Sequence, residues 1–190
     1  MQPAHQDVLV IGSGLAGLTT ALRLADCGRK VTVLNRAFDP RESNTRYAQG
    51  GIIWWGEDDS PELLGHDIDQ AGDEVGSEEA IRILSREGGA LVESLLIERL
   101  GVPFDRDSRG GIHRTSEAAH SRPRIIHVTD QTGAAIQKAL TEEVNRQPHI
   151  TVHAGATAIE LISSTHHSRR RGSIYGPTRI LGAYVLDRAT

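Results

Sequence analysis

Apolar and polar positions along this chain change period several times, and each change predicts an element. Val8, Leu9, Val10 and Ile11 form an unbroken apolar run, the pattern of a buried strand, which empties into Gly12-Ser13-Gly14-Leu15-Ala16-Gly17. Leu18, Ala21, Leu22, Leu24 and Ala25 then recur at helical spacing as far as Cys27-Gly28, where glycine supplies the left-handed conformation that ends helices. Lys30-Val31-Thr32-Val33-Leu34 predicts a second strand, which completes a βαβ unit.

Downstream, Ser60 reads as a helix cap with Pro61 at the first helical position, leading to Leu63, Leu64, Ile68 and Ala71. Ser77-Glu78-Glu79-Ala80 starts another helical stretch, with Ile81, Ile83, Leu84, Leu91, Leu95, Leu96 and Leu100 apolar. It predicts one or two helices, with Gly88-Gly89 as a candidate break. Residues 102–126 lose periodicity and are rich in Arg, His, Ser and Gly. Strand character returns at 124–128, and Asp130-Gln131-Thr132-Gly133 caps a helix through Ala135, Ile136, Ala139, Leu140 and Val144. Further strands are predicted at 150–153, 157–162 and 180–186. This order of elements indicates an α/β fold with a parallel sheet at its centre.

The glycine turn carries the first candidate chemistry. Gly12 permits the tight exit from the strand, Gly14 lets backbone N–H groups approach a pyrophosphate, and Gly17 lets the helix pack on the sheet. Ser13, Leu15 and Ala16 lie at the helix N-terminus, whose partial positive charge favours an anion. Among 20 glycines in 190 residues the same spacing also arises as a purely structural turn. An NAD-binding unit usually has an acid after its second strand, whereas this chain has Asn35 and then Arg36, which suits a 2′-phosphate; neither residue decides the ligand. Tyr47-Ala48-Gln49-Gly50-Gly51, followed by Ile52-Ile53-Trp54-Trp55, describes backbone that comes close to something flat, as a flavin ring requires.

Composition narrows the rest. The formal charge of −4, from 21 basic and 25 acidic side chains, gives no general attraction to nucleic acid. A single cysteine, Cys27, excludes an internal disulfide framework, is read as a small buried hydrophobe, and points to the cytoplasm. No basic segment precedes the first apolar run, and glycines interrupt it, so neither a signal peptide nor a membrane span is expected. His166 and His167 with Arg169, Arg170 and Arg171 form no metal or nucleic-acid pattern and are read as a solvated, mobile loop, and no metal site is expected. His113, His127, His149 and His153 are scattered and read as structural. Trp54 and Trp55 are read as packing beneath the flavin segment.

Ser43-Asn44-Thr45-Arg46-Tyr47-Ala48-Gln49-Gly50-Gly51-Ile52 resembles the flavin-binding segment of the succinate dehydrogenase, fumarate reductase and L-aspartate oxidase flavoproteins. Within that superfamily, Thr115-Ser116-Glu117-Ala118-Ala119-His120-Ser121-Arg122-Pro123-Arg124-Ile125 with Asp130-Gln131-Thr132-Gly133 is most similar to the L-aspartate oxidase branch. The resemblance implies a Rossmann-like FAD-binding fold with a central parallel sheet, and FAD held without a covalent bond, since Asn44 stands where the dehydrogenases and reductases carry the attaching histidine. It places Ser13, Gly14, Leu15 and Ala16 at the pyrophosphate, Asn35 and Arg36 near the adenosine, Asn44 to Gly51 along the flavin, and Ala158 beside the adenine.

The implied reaction is oxidation of L-aspartate to iminoaspartate, which feeds quinolinate and NAD synthesis, with oxygen or fumarate as electron acceptor. Glu117 matches the family glutamate that recognises the substrate amino group. From spacing alone it reads equally as a solvated loop residue. His120, Arg122 and Arg124 are candidate carboxylate ligands or, alternatively, members of an exposed hydrogen-bonded loop. The resemblance covers the N-terminal portion of such an enzyme, so residues 1–190 are expected to form an FAD-binding domain truncated before the capping and C-terminal helical domains. The 190 residues alone are then expected to oxidise aspartate weakly or not at all. A complementing chain or a quinolinate synthase is the candidate protein partner. The alternatives are a fumarate reductase or succinate dehydrogenase type of flavoprotein, against which Asn44 and Glu117 argue, and a non-catalytic FAD- or ADP-binding module.

Overall fold

The computed structural model describes residues 7–56, 58–117, 119–168, 172 and 175–188, which fall into two compact units. The first comprises residues 1–44 and 140–190, and the second residues 45–139. Arg169, Arg170 and Arg171, part of the loop read from the sequence as mobile, lie outside the described residues.

In the first unit, β1 (Val8–Ile11), β2 (Val31–Asn35) and β5 (Ile150–Ala154) form a parallel sheet in the order β1-β2-β5. The predicted parallel sheet is therefore present. Val8 pairs with Val31 and Ile11 with Leu34, while Val31 pairs with Ile150 and Asn35 with Ala154. All five residues of β2 are buried, as its central place demands. Helix α1 (Leu15–Asp26) turns Leu18, Ala21, Leu22 and Ala25 inward at helical spacing. Burying each leucine stabilises the unit by about 2 kcal/mol. The helix ends as its sequence predicts, with Gly28 at φ +73°. Cys27, however, is exposed. The apolar stripe of α1 stops at Ala25, and the cap position two residues on faces outward, so the reading of Cys27 as a buried hydrophobe is wrong. A long antiparallel hairpin of β6 (Ala156–Ser163) and β7 (Ile180–Asp187) completes the unit, with irregularities at Ala158/Glu160 and Ile162/Ser163. Near its tip, His167 Nδ1 accepts from the Ser163 N–H at 3.1 Å.

In the second unit, β3 (Ile52–Ile53) pairs antiparallel with β4 (Ile125–Ile126), so part of the flavin-like segment is itself a strand. Helix α2 (Asn44–Tyr47) is one turn long. Helix α3 (Pro61–Ala71) starts as predicted, with Ser60 Oγ accepting from the Leu63 N–H at 3.1 Å and Pro61 at the first position. Helix α4 (Glu78–Leu91) is capped by Ser77 and runs through Gly88-Gly89 without a break. Its regularity changes only afterwards, where Val92–Arg99 continues as a π-helix ending in a Leu100 N–H to Leu95 carbonyl bond. Only Gly89 of the pair is required by packing: a Cβ on it would stand 2.9 Å from the Trp55 indole, whereas Gly88 faces open space. The core of this unit includes Leu64, Leu96, Phe104, Ile125 and Ile126. Helix α5 (Thr132–Asn145) starts in the second unit and runs on into residues of the first. Among the described residues no helix is long and apolar enough to cross a membrane.

Candidate functional site

The sequence-read site residues divide between the two units: Gly12 to Gly17, Asn35, Arg36, Asn44 and Ala158 belong to the first, and Thr45 to Gly51 and Glu117 to the second.

In the first unit the chain leaves β1 through Gly12 at φ +107°, a conformation that side chains rarely adopt. The Gly12 N–H donates to the Leu34 carbonyl at 2.9 Å, keeping the turn against the end of β2. A Cβ on Gly17 would collide with the Gly12 carbonyl oxygen, so the third glycine of the motif is fixed by the path of the first. Gly14 is the N-cap of α1 and offers no side-chain cap, and the first turn of the helix carries no acidic residue. The first turn of α1 thus adds no carboxylate of its own to the positive end of the helix, which fits the pyrophosphate of a dinucleotide.

The turn is braced from the side by the loop after β2. Ser13, only 2% exposed, donates from Oγ to the Pro40 carbonyl at 2.8 Å. Asn35 is 5% exposed and donates from Nδ2 to the carbonyls of Ala37 and Asp39, at 3.2 and 2.8 Å. Its amide nitrogen is thereby committed to the loop, and Oδ1 is the atom that remains to accept a hydroxyl. Arg36 is exposed, and its carbonyl accepts from Arg188, whose guanidinium lies 5.1 Å from the centroid of Phe38. Gly155, at φ +75°, packs against the same ring. Ala158 lies on β6 opposite Val185.

In the second unit, Arg46, Tyr47, Ala48, Gln49 and Gly50 are exposed. The two adjacent glycines have different physical reasons. A Cβ on Gly51 would strike Ile125 Cγ2 and come within 2.7 Å of the Ile126 carbonyl oxygen, so this glycine lets β3 approach β4. Gly50 faces open space, and it alone of the pair leaves room for an external group. The segment is held from behind by α5: the Gly133 N–H donates to the Ala48 carbonyl at 3.0 Å, and a Cβ on Gly133 would collide with the Thr45 and Ala48 carbonyls. The Arg114 guanidinium lies over Trp54, 4.1 Å from its ring centroid, and the Trp54 backbone N–H donates to the Arg124 carbonyl at 2.7 Å.

Glu117 is exposed, and its carbonyl accepts from the His120 N–H at 3.1 Å. Ala119 has φ +71°. The basic residues that follow have separate roles. Arg122 is exposed, whereas Arg124 is fully buried. Arg124 grips Asp59 with a two-pronged contact, Nε to Oδ2 at 2.7 Å and Nη2 to Oδ1 at 2.6 Å, and Asp59 has a side chain only 1% exposed. Its Nη1 donates to Asp67 Oδ2 at 2.5 Å and meets His120 Nδ1 at 3.2 Å. Asp67 Oδ2 also accepts from Ser121, from the backbone N–H and from Oγ, both at 2.8 Å. Burial pushes the Asp67 carboxyl up, but the Ser121 and Arg124 hydrogen bonds outweigh it and hold it at about 2. Hydrogen bonding to Asp59 raises Arg124 further above its ordinary value, against the opposing effect of burial. Arg124 is therefore spent on carboxylates of its own chain and is not a substrate clamp.

Asp59 and Asp67 are the residues that sequence reasoning missed. Neither lies in a motif, and only their distance from a buried arginine in space marks them out.

A family model described as FAD binding domain matches residues 7–190. The chain is 40% identical over 157 residues to the L-aspartate oxidase of Halobacterium salinarum, covering 83% of this chain and 30% of that protein. It is 39% identical over 193 residues to the L-aspartate oxidase of Vibrio cholerae, covering 97% and 34%. A chloroplastic L-aspartate oxidase of Arabidopsis thaliana is 39% identical over 84% of this chain and 24% of its own length. The chain thus spans between about a quarter and a third of these relatives. Among solved structures, Escherichia coli quinol fumarate reductase superposes with a TM-score of 0.84 at 21% identity, over 98% of this chain and 30% of that one. Mycobacterium smegmatis Sdh1 in complex with UQ1 superposes with 0.82 at 25% identity, over 100% and 32%.

Proposed function

Because the chain belongs to the FAD binding domain family, we propose that its 190 residues are the FAD-holding portion of an L-aspartate oxidase, working in NAD biosynthesis in the cytoplasm. The observation that carries this reading is the 39–40% identity to L-aspartate oxidases across most of the chain. FAD would supply the two-electron acceptor that turns the amino acid into its imine.

The rest is done by the chain. Backbone N–H groups of Ser13 to Ala16 hold the pyrophosphate at the start of α1, with Gly12 and Gly17 shaping the turn. Asn35 Oδ1 accepts from the ribose and Arg36 flanks the adenosine. The Ala158 backbone lies beside the adenine. Residues Asn44 to Gly51 cover the flavin, with Gly50 giving the closest approach. Glu117 pairs with the ammonium of L-aspartate and so distinguishes it from a plain dicarboxylate, which offers no cation to the carboxylate. Oxygen or fumarate takes the electrons, and a quinolinate synthase consumes the iminoaspartate.

The test is a titration of the purified chain with FAD, read by flavin fluorescence and the visible spectrum. Saturation at micromolar FAD supports the reading, and a soluble chain that binds none overturns it. Anaerobic bleaching of the flavin in the longer enzyme by L-aspartate, and not by succinate, tests the substrate.

A further inference from the structure

Arg124 has hydrogen-bond donors only, so the contact between its Nη1 and His120 Nδ1 at 3.2 Å has one chemical meaning. Nδ1 is the acceptor, and the proton of the neutral ring sits on Nε2. Arg124 cannot swing away to release the ring. Nε and Nη2 are fixed on Asp59, and the second proton of Nη1 is fixed on Asp67. Asp67 in turn fixes the neighbour of His120, since its Oδ2 accepts both the N–H and the hydroxyl of Ser121. The imidazole is thus anchored through its own Nδ1 and through the next residue along the chain. Its backbone N–H is bonded to the Glu117 carbonyl. Among the described residues Nε2 has no hydrogen-bond partner.

We propose that Asp67 and Arg124 are positioning residues that lock His120 in the tautomer protonated at Nε2. The segment then presents a preset N–H donor within three residues of the Glu117 carboxylate. A donor and a carboxylate on one short loop, its backbone tied by the His120 N–H to Glu117 carbonyl bond, suit the two head groups of an α-amino acid, the carboxylate on Nε2–H and the ammonium on Glu117. This assignment of a ligand rests on the function proposed above, whereas the tautomer does not.

The experiment is a long-range proton–nitrogen correlation spectrum of the ¹⁵N-labelled 190-residue chain, with the His120 signals assigned by their loss in His120→Gln. The folded wild type is expected to show one tautomer at His120, protonated at Nε2, and Asp67→Asn to show a mixture of both. Arg124→Lys serves in place of Asp67→Asn if that variant does not fold, and is expected to give the same mixture. The urea-unfolded wild type supplies the reference for an unconstrained ring. A mixture in the folded wild type, or a proton on Nδ1, overturns the proposal. So does a single tautomer that survives in the folded variants. The measurement needs neither FAD nor aspartate, so a failed flavin titration would leave its result standing.

Discussion

Ser13 and Pro40 are joined by a hydrogen bond of 2.8 Å from a buried hydroxyl to a carbonyl, which ties the glycine turn to the loop that follows β2. The hydroxyl is occupied by the protein, so Ser13 serves a nucleotide through its backbone. Ser13→Ala leaves the Pro40 carbonyl without this donor and is expected to cost about 1–2 kcal/mol of stability, read as a lowered urea midpoint. FAD affinity should fall by roughly the same free energy, about five- to thirtyfold, if the turn loosens with it.

Adjacent glycines in the flavin-like segment should separate binding from stability. Gly51→Ala drives a methyl into Ile125 and the Ile126 carbonyl and is expected to cost about 2–3 kcal/mol. Gly50→Ala meets open space, so the stability of the chain without FAD should change by less than about 0.5 kcal/mol. Its FAD affinity should nevertheless drop about tenfold, because the methyl occupies the place assigned to the ring. A Gly50→Ala chain that binds FAD as the wild type does would move the flavin elsewhere.

A second pair sits in α4. Gly88→Ala removes a flexible residue from a helix interior with nothing within 4 Å and should stabilise the chain by about 0.5–1 kcal/mol. Gly89→Ala gains the same propensity but places its methyl 2.9 Å from the Trp55 ring, an overpacking cost of about 1–3 kcal/mol. The net effect should be destabilising, accompanied by a shift in tryptophan emission.

The Asp67 carboxyl sits at about 2 in the folded chain, below its ordinary 3.8. A carboxyl lowered by folding contributes stability that is complete above the unfolded value and lost as the pH falls through the folded one. Denaturant midpoints should therefore decline between about pH 4 and pH 2. Asp67→Asn should start lower and show a shallower decline over the same interval. Parallel profiles for the two chains would remove Asp67 from the acid response.

Local signals made much of this fold legible. Ser60-Pro61, Ser77 and Gly28 act within a few residues of themselves, and the structure has each where its chemistry places it. The run of β-formers in β2 predicted a strand, although only the pairing on both sides explains why all five residues are buried. What the sequence could not carry was the identity of distant neighbours. Gly89 resembles a helix breaker until Trp55 is seen against it, and the need for glycine at Gly51 is explained only when Ile125 is seen behind it. Arg124, in a loop rich in histidine and arginine, looks like a surface cation. Two carboxylates 57 and 65 residues away in the chain make it a core residue.

Both tryptophans of the chain, Trp54 and Trp55, belong to the second unit, one beneath the Arg114 guanidinium and the other against Gly89. The protein consequently carries a built-in optical reporter for that half alone. Tryptophan emission follows residues 45–139, while far-ultraviolet dichroism follows the helices and strands of both halves. Coincident melting curves from these two signals would mean that the units unfold as one cooperative body. Separated curves would give each its own transition from a single unlabelled sample.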